Sequence, residues 1–330
     1  MACGSFDEAD ILTLVLVMAW ACLSCTPANQ KNALLAVLFA SQSVFNEVAS
    51  LVSIEFTPGL WEILQSGTPP TLRQFKTFRG GPKRTDRLWA VYLRVLEKSL
   101  HRPKIYIGSG TEAKTGVHSR LKNYERHDNT VSELVDKALK EGYQITHIGL
   151  ICWIPIPSVV LQPKIRMLFV ILEAAFSYVF WAMRPGKKEN DYGMGWMCPW
   201  DRSLEYDGCC THCSLYEMVS GDFQLSDEQL EAAAAQRRAN TRLTNKNSEA
   251  NIRKAKTYFC KLCKVSLVSQ YRLGQHNETA SHKRKAKDLT DPKKPHVCYV
   301  CNRSFATITK LNRHNAPDRH RAALSSPELD

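Results

Sequence analysis

The sequence lacks an uninterrupted apolar run of bilayer length. Its first candidate, residues 11–25 (ILTLVLVMAWACLSC), offers fifteen uncharged and mostly apolar positions, where a spanning helix needs roughly 20. Positive charge ahead of that run is also missing. Asp7, Glu8 and Asp10 stand where a secretory signal is basic. The stretch therefore reads as a buried helix, with a membrane or signal segment as the alternative. Cysteine is plentiful, at twelve, but outside residues 258–320 it is unevenly spaced. That argues against a secreted disulfide scaffold and for a reducing compartment, nuclear or cytoplasmic. Acidic residues are scarce towards the end. Residues 1–223 carry 23 Lys+Arg against 22 Asp+Glu, net +1; residues 224–330 carry 21 against 10, net +11, so nearly all of the +12 lies in the last third. Such asymmetry is the electrostatic footprint of a polyanionic partner; a solvated basic tail is the plainer alternative.

What is present is clearest between Tyr258 and His320. Cys260 and Cys263 are followed, after twelve residues, by His276 and, after five more, by His282; Cys298, Cys301, His314 and His320 repeat those gaps. Two thiolates on a short turn and two imidazoles on a following helix suit tetrahedral zinc, so the pattern predicts two structural zinc ions. Leu267 and Leu273 recur in register as Phe305 and Leu311. A unit of about 25 residues with so few apolar groups needs its metal to fold. Disulfides do not explain why the histidines keep step with the cysteines.

Both units resemble Cys-Cys-His-His zinc fingers. The first, with a five-residue gap between its histidines and a basic tail of Lys283, Arg284, Lys285 and Lys287, looks most like the matrin type. That resemblance implies nucleic acid as partner, double-stranded RNA or DNA. The usual contact positions are Ser269, Arg272 and Gln275, then Thr307, Lys310 and Arg313. Of these, Arg272, Gln275 and Arg313 have obvious base-reading chemistry, so backbone and shape contacts are expected to dominate.

Ahead of the fingers the chain reads as α+β. Residues 1–84 form a helical region: the apolar helix 11–25, an amphipathic helix over 33–56 and a short helix around Trp61 and Leu64. From 85 to 223 the pattern changes. Strands are expected at 88–95 and 104–108, the second broken by Gly108-Ser109-Gly110. Helices follow at 117–126 and from Thr130 to Gly142, with Thr130 and Glu133 as a capping box. A strand at 145–154 and a long apolar helix at 161–183 complete it. Cys209, Cys210, His212 and Cys213 tempt as a third zinc site but read better as packed or free thiols. Residues 224–256 are a basic helical linker. Zinc finger 1 (257–287), a linker (288–295), zinc finger 2 (296–322) and a disordered tail (323–330) follow.

Residues 86–190 resemble the GIY-YIG nuclease family, with Ala90-Val91-Tyr92 and Tyr106-Ile107-Gly108 at the name-giving tripeptides. Arg120 and Tyr124 match the family's helix pair. Glu173, the only acidic residue of 161–183, matches its metal-binding carboxylate, and Asn190 stands for its late Asn. The resemblance implies a small sheet with flanking helices and a metal-dependent endonuclease. Its catalytic residues would be Tyr92, Tyr106, Arg120, Tyr124 and Glu173, with magnesium or manganese at Glu173. Ala90 departs from the first Gly. The expected function is a zinc-finger nucleic-acid-binding protein whose GIY-YIG-like domain cuts phosphodiesters; the alternative is a non-catalytic binding or regulatory protein on a degenerate nuclease fold.

Overall fold

The computed structural model describes residues 8–125, 132–184, 194–200, 203–219 and 221–316. It divides into two units, residues 1–240 and 241–330. The expected capping-box Thr130, together with Asn190, His320 and the tail, lies outside the described residues.

The first unit begins with α1 (Glu8–Cys25), α2 (Ala33–Leu38), α3 (Gln42–Ala49), β1 (Glu55–Phe56), α4 (Leu60–Gln65) and α5 (Leu72–Phe75). The single amphipathic helix expected over 33–56 is therefore two helices and a short strand. The break is local chemistry. Phe39 N–H closes α2 on the Leu35 carbonyl, and the Ser41 side chain accepts the Val44 N–H to start α3. No helix among the described residues is long and apolar enough to cross a membrane.

Next come β2 (Leu88–Glu97), β3 (Lys104–Gly110), α6 (Val117–Glu125), α7 (Glu133–Lys140), β4 (Gln144–Pro155), α8 (Gln162–Val179), β5 (Asp207–Gly208) and α9 (Asp227–Lys254). Five strands form one mixed sheet in the order β1-β4-β2-β3-β5, antiparallel except for the β3–β5 pair. β2 lies at its centre, buried at every position but the last. That explains its near-continuous apolar run, as expected of a strand covered on both faces. α8 packs on β2 and β3, and α1 and α3 pack on α8. The Trp89 and Phe169 rings meet edge to face at 6.3 Å.

Three expectations need correction. Gly108-Ser109-Gly110 does not break β3: the strand pairs with β2 through Gly110, opposite Ala90. Small residues are needed there because other groups crowd the strand. α7 starts after Ser132, not Thr130. α8 ends at Val179, four residues earlier than expected. Trp181 takes a left-handed conformation (φ 48°), with Trp181 N–H on the Tyr178 carbonyl and Ala182 N–H on the Ser177 carbonyl. This is a Schellman stop, and Met183 then bridges to Cys210.

In the second unit, β6 (Tyr258–Cys260), β7 (Val265–Leu267), α10 (Gln270–Glu278) and α11 (Ala280–Leu289) precede β8 (His296–Cys298), β9 (Arg303–Phe305) and α12 (Ile308–Asn315). The hairpins share one register: Tyr258 faces Leu267 as His296 faces Phe305. Lys264 and Asn302, each directly after the second cysteine of its unit, both take φ near +50° (54° and 51°). Much of the stretch between the two hairpins is helical: α11 carries the chain to Leu289 before the second hairpin begins at His296.

Candidate functional site

The first Cys/His unit gathers its four expected ligands. Ligand atoms of Cys260, Cys263, His276 and His282 all lie within 4.8 Å of one another. His282 Nδ1 is 3.6 Å from both sulfurs and 3.3 Å from His276 Nε2. A tetrahedron with Zn–S about 2.3 Å and Zn–N about 2.05 Å has S···N and N···N edges of about 3.6 and 3.3 Å. The donor set and its size therefore fit zinc. In the second finger Cys298, Cys301 and His314 form the matching group, with Cys301 Sγ 3.1 Å from His314 Nε2.

The finger helices start on side-chain caps. Ser269 accepts the Arg272 N–H and Thr307 accepts the Lys310 N–H, so both hydroxyls serve the helix start rather than standing free as contacts. On exposed α10, Arg272 donates to Gln275 Oε1 (3.2 Å), and Gln275 donates to the Tyr271 hydroxyl (2.8 Å). Tyr271, exposed and absent from the sequence reading, thus joins two of the expected contact residues in one strip. Lys310 and Arg313 are exposed on α12, and Lys283 and Arg284 on α11, where Lys285 is half-buried. Lys283 pairs with Glu278 at 2.5 Å.

The first unit holds a second constellation at the open edge of β3. Its lower half is covered by β5. Above that, the Cys210 thiol sits between the N–H and carbonyl of Ile107 (3.5 and 3.4 Å). Above that again, the hydroxyl and backbone N–H of Ser109 donate to Glu173. The tempting Cys209, Cys210 and Cys213 are thus buried packing groups. Burial raises the Cys210 thiol to about 12.

A cleft of about 420 Å³ opens beside Ser109, lined by Tyr106, Arg120, Arg166, Glu173 and Glu217 among others. A neighbouring cavity of about 540 Å³ shares Ser109, Thr111, Arg120 and Arg166 and runs over Gly110–Ala113. Burial pushes the Glu173 carboxyl up to about 8. The nearby Glu217 adds to that rise, while Ser109 and Arg120 oppose it. Glu217 also holds His212 Nε2 at 3.5 Å, and that contact raises the His212 pKa.

Tyr92 lies opposite Gly108 on the neighbouring strand, and its ring centroid is 6.3 Å from that of Tyr106. A Cβ on Gly108 would fall 2.8 Å from the Tyr92 hydroxyl and 3.0 Å from that of Tyr106. Gly108 is thus the seat on which both hydroxyls converge. Beneath them the fully buried Arg94 sets its guanidinium 5.3 Å from the Tyr92 ring centre.

Of the expected catalytic residues, Tyr106, Arg120 and Glu173 line one cleft, while Tyr92 is fully buried behind it, its ring beside that of Tyr106. The Tyr124 side chain lies outside the described residues. Sequence reasoning missed Arg166, Glu217 and Arg94. The signal for Arg94 was present, as a single cation in the apolar run of β2; Arg166, with Lys164 two residues before it, gave a weaker one. Glu217 sits in irregular chain that gave none. Comparison with protein-family models, with curated proteins and with solved structures found no match to this chain.

Proposed function

We propose that the chain is a nucleic-acid-processing protein of two parts. The two Cys-Cys-His-His units hold zinc and bind nucleic acid, double-stranded RNA or DNA. The N-terminal unit is a GIY-YIG-like endonuclease domain, and the protein works in a reducing compartment, the nucleus or cytoplasm. The observation that carries the nuclease reading is the convergence of Tyr106, Arg120 and Glu173 on one cleft. The flanking of β4-β2-β3 by helices supports it too.

The donor set of Glu173, Glu217 and the Ser109 hydroxyl is all oxygen and suits magnesium or manganese. When bound there, such a cation supplies Lewis-acid polarisation of a phosphoryl oxygen. The protein's own groups divide the remaining work. Arg120 clamps phosphate oxygens with a planar fork. Tyr92 and Tyr106, with hydroxyls brought together over Gly108, pass the proton of the attacking water. Ser109 fixes the Glu173 carboxyl.

A second reading, a fold that binds without cutting, draws on Glu173 itself. With its pKa near 8 and two donors from Ser109, the carboxyl is satisfied without a cation. A magnesium-dependent cleavage assay on mixed RNA and DNA separates the two. The full chain is expected to cut, and Glu173→Ala to abolish cutting while binding stays nearly unchanged, because affinity comes mostly from the basic fingers. A wild-type chain that binds but never cuts establishes the second reading.

A further inference from the structure

Arg166 has no part in the chemistry above, yet it lines both cavities that meet at Ser109. It is held in place twice. Its Nη2 donates to the Thr111 carbonyl at 3.0 Å, and its guanidinium lies 5.4 Å from the centre of a Trp89 ring. Trp89 is itself fixed, its indole N–H donating to the Glu112 carbonyl at 2.8 Å. The carboxylate of Glu112 is turned into its own loop. It accepts from Lys114 N–H (2.9 Å), Thr115 N–H (2.5 Å) and the Thr115 hydroxyl (2.8 Å).

Arg166 and Glu173 sit seven residues apart on α8, on one face of the helix. At 1.5 Å per residue their positions are separated by roughly 10 Å along the axis. Glu173 borders only the first cavity, whereas Arg166, its Nη2 held at the Thr111 carbonyl, borders the second as well, and this arrangement extends the site beyond one phosphate. It suits two successive phosphates of one strand, one at Glu173 and Arg120, the other over Gly110–Ala113.

We propose that Arg166 is the clamp for a second phosphate, so that the cleft takes a polynucleotide backbone rather than a single phosphate monoester. This rests on the nuclease reading of the cleft. The guanidinium is pre-oriented by Trp89 and Thr111, so little side-chain freedom is lost on binding.

The test uses calorimetry on the full zinc-loaded chain with two probes. One is a 5′-phosphorylated thymidine dinucleotide with a cleavage-resistant phosphorothioate linkage; the other is thymidine 5′-monophosphate. The wild type is expected to prefer the dinucleotide. Arg166→Gln, which keeps an N–H for the Thr111 carbonyl but loses the charge, is expected to weaken dinucleotide binding about tenfold, the worth of one charge-assisted contact. Monophosphate binding is expected to stay the same, and Arg166→Lys to recover part of the loss. Equal wild-type affinity for the two probes overturns the proposal without any variant. An Arg166→Gln protein that binds the dinucleotide normally, or loses both probes alike, overturns it too. If Arg120→Gln still weakens the monophosphate in those cases, the nuclease reading survives alone. If neither arginine matters, both fall.

Discussion

The two units of this chain reach a defined structure by different means. The first buries a contiguous apolar core, from Val15 on α1 through the apolar positions of central β2 to Phe180 after α8. In the second, among the described residues, only Cys260, Cys298 and Ser304 are buried, and the apolar positions Leu267, Leu273, Phe305 and Leu311 are half-covered. One unit can hide a carboxyl and two tyrosines because its core is stable without them. In the other, two of the three buried side chains belong to Cys/His groups that could hold a metal ion, and there is little else to fold around.

The largest expected effect tests that contrast directly. Stripping zinc from the full chain is expected to unfold the hairpins and helices after residue 257 and to leave the sheet of the first unit intact. The free energy at stake is on the order of 10 kcal/mol per structural site. Metal analysis with residue-resolved NMR reads both halves at once. Fingers that stay folded without metal break the comparison.

Next in size is a pH dependence confined to the first unit. Glu173 has an ordinary carboxyl pKa of 4.5 when exposed and about 8 in the fold. Between those values the native state keeps a proton that the unfolded chain releases. Its contribution is therefore full below about 4.5 and is lost as pH rises towards 8, by up to about tenfold in the folding constant per pH unit. Glu173→Gln mimics the protonated acid and lacks this slope. Without added magnesium, wild-type melting is expected to fall relative to the variant from pH 5 to 8; a rise would reverse the electrostatic account of the cleft.

The same substitution placed in each unit sharpens the contrast. Gly108→Ala drives a Cβ into the two tyrosine hydroxyls and is expected to cost about 1–3 kcal/mol, with loss of any cleavage. Gly274→Ala, inside α10, meets nothing within 4 Å. It is expected to stabilise the finger by up to about 1 kcal/mol through helix propensity. Thermal melts of the two proteins give the signs; equal signs would mean that one of the two glycines lacks the role its surroundings imply.

Much of the Cys/His unit was legible because its information is local. Ligands at fixed gaps, one hairpin and one helix leave few ways to fold, and the 38-residue repeat from Cys260 to Cys298 recurs in hairpin register and in the helix caps at Ser269 and Thr307. The strands β2, β3 and β4 were legible for a similar reason, since short apolar runs rich in β-branched and aromatic residues, such as LWAVYLRV, suit a buried strand. The joins were not. The split of 33–56 at Ser41 and the stop of α8 at Trp181 depend on single hydrogen bonds that apolar periodicity does not register.

By itself, then, the sequence determined the two Cys/His groups, the concentration of charge behind residue 223 and the apolar identity of the central strands. These follow from spacing and composition, which act over a few residues. Only the tertiary structure decided that Arg166 on α8 and Glu217 in irregular chain share a cleft with Arg120 and Tyr106, and that Gly108 seats two tyrosine hydroxyls. Those meetings join residues up to 111 positions apart, from Tyr106 to Glu217. Such distant contacts are set by how α6 and α8 pack around the edge of β3, which no local pattern encodes.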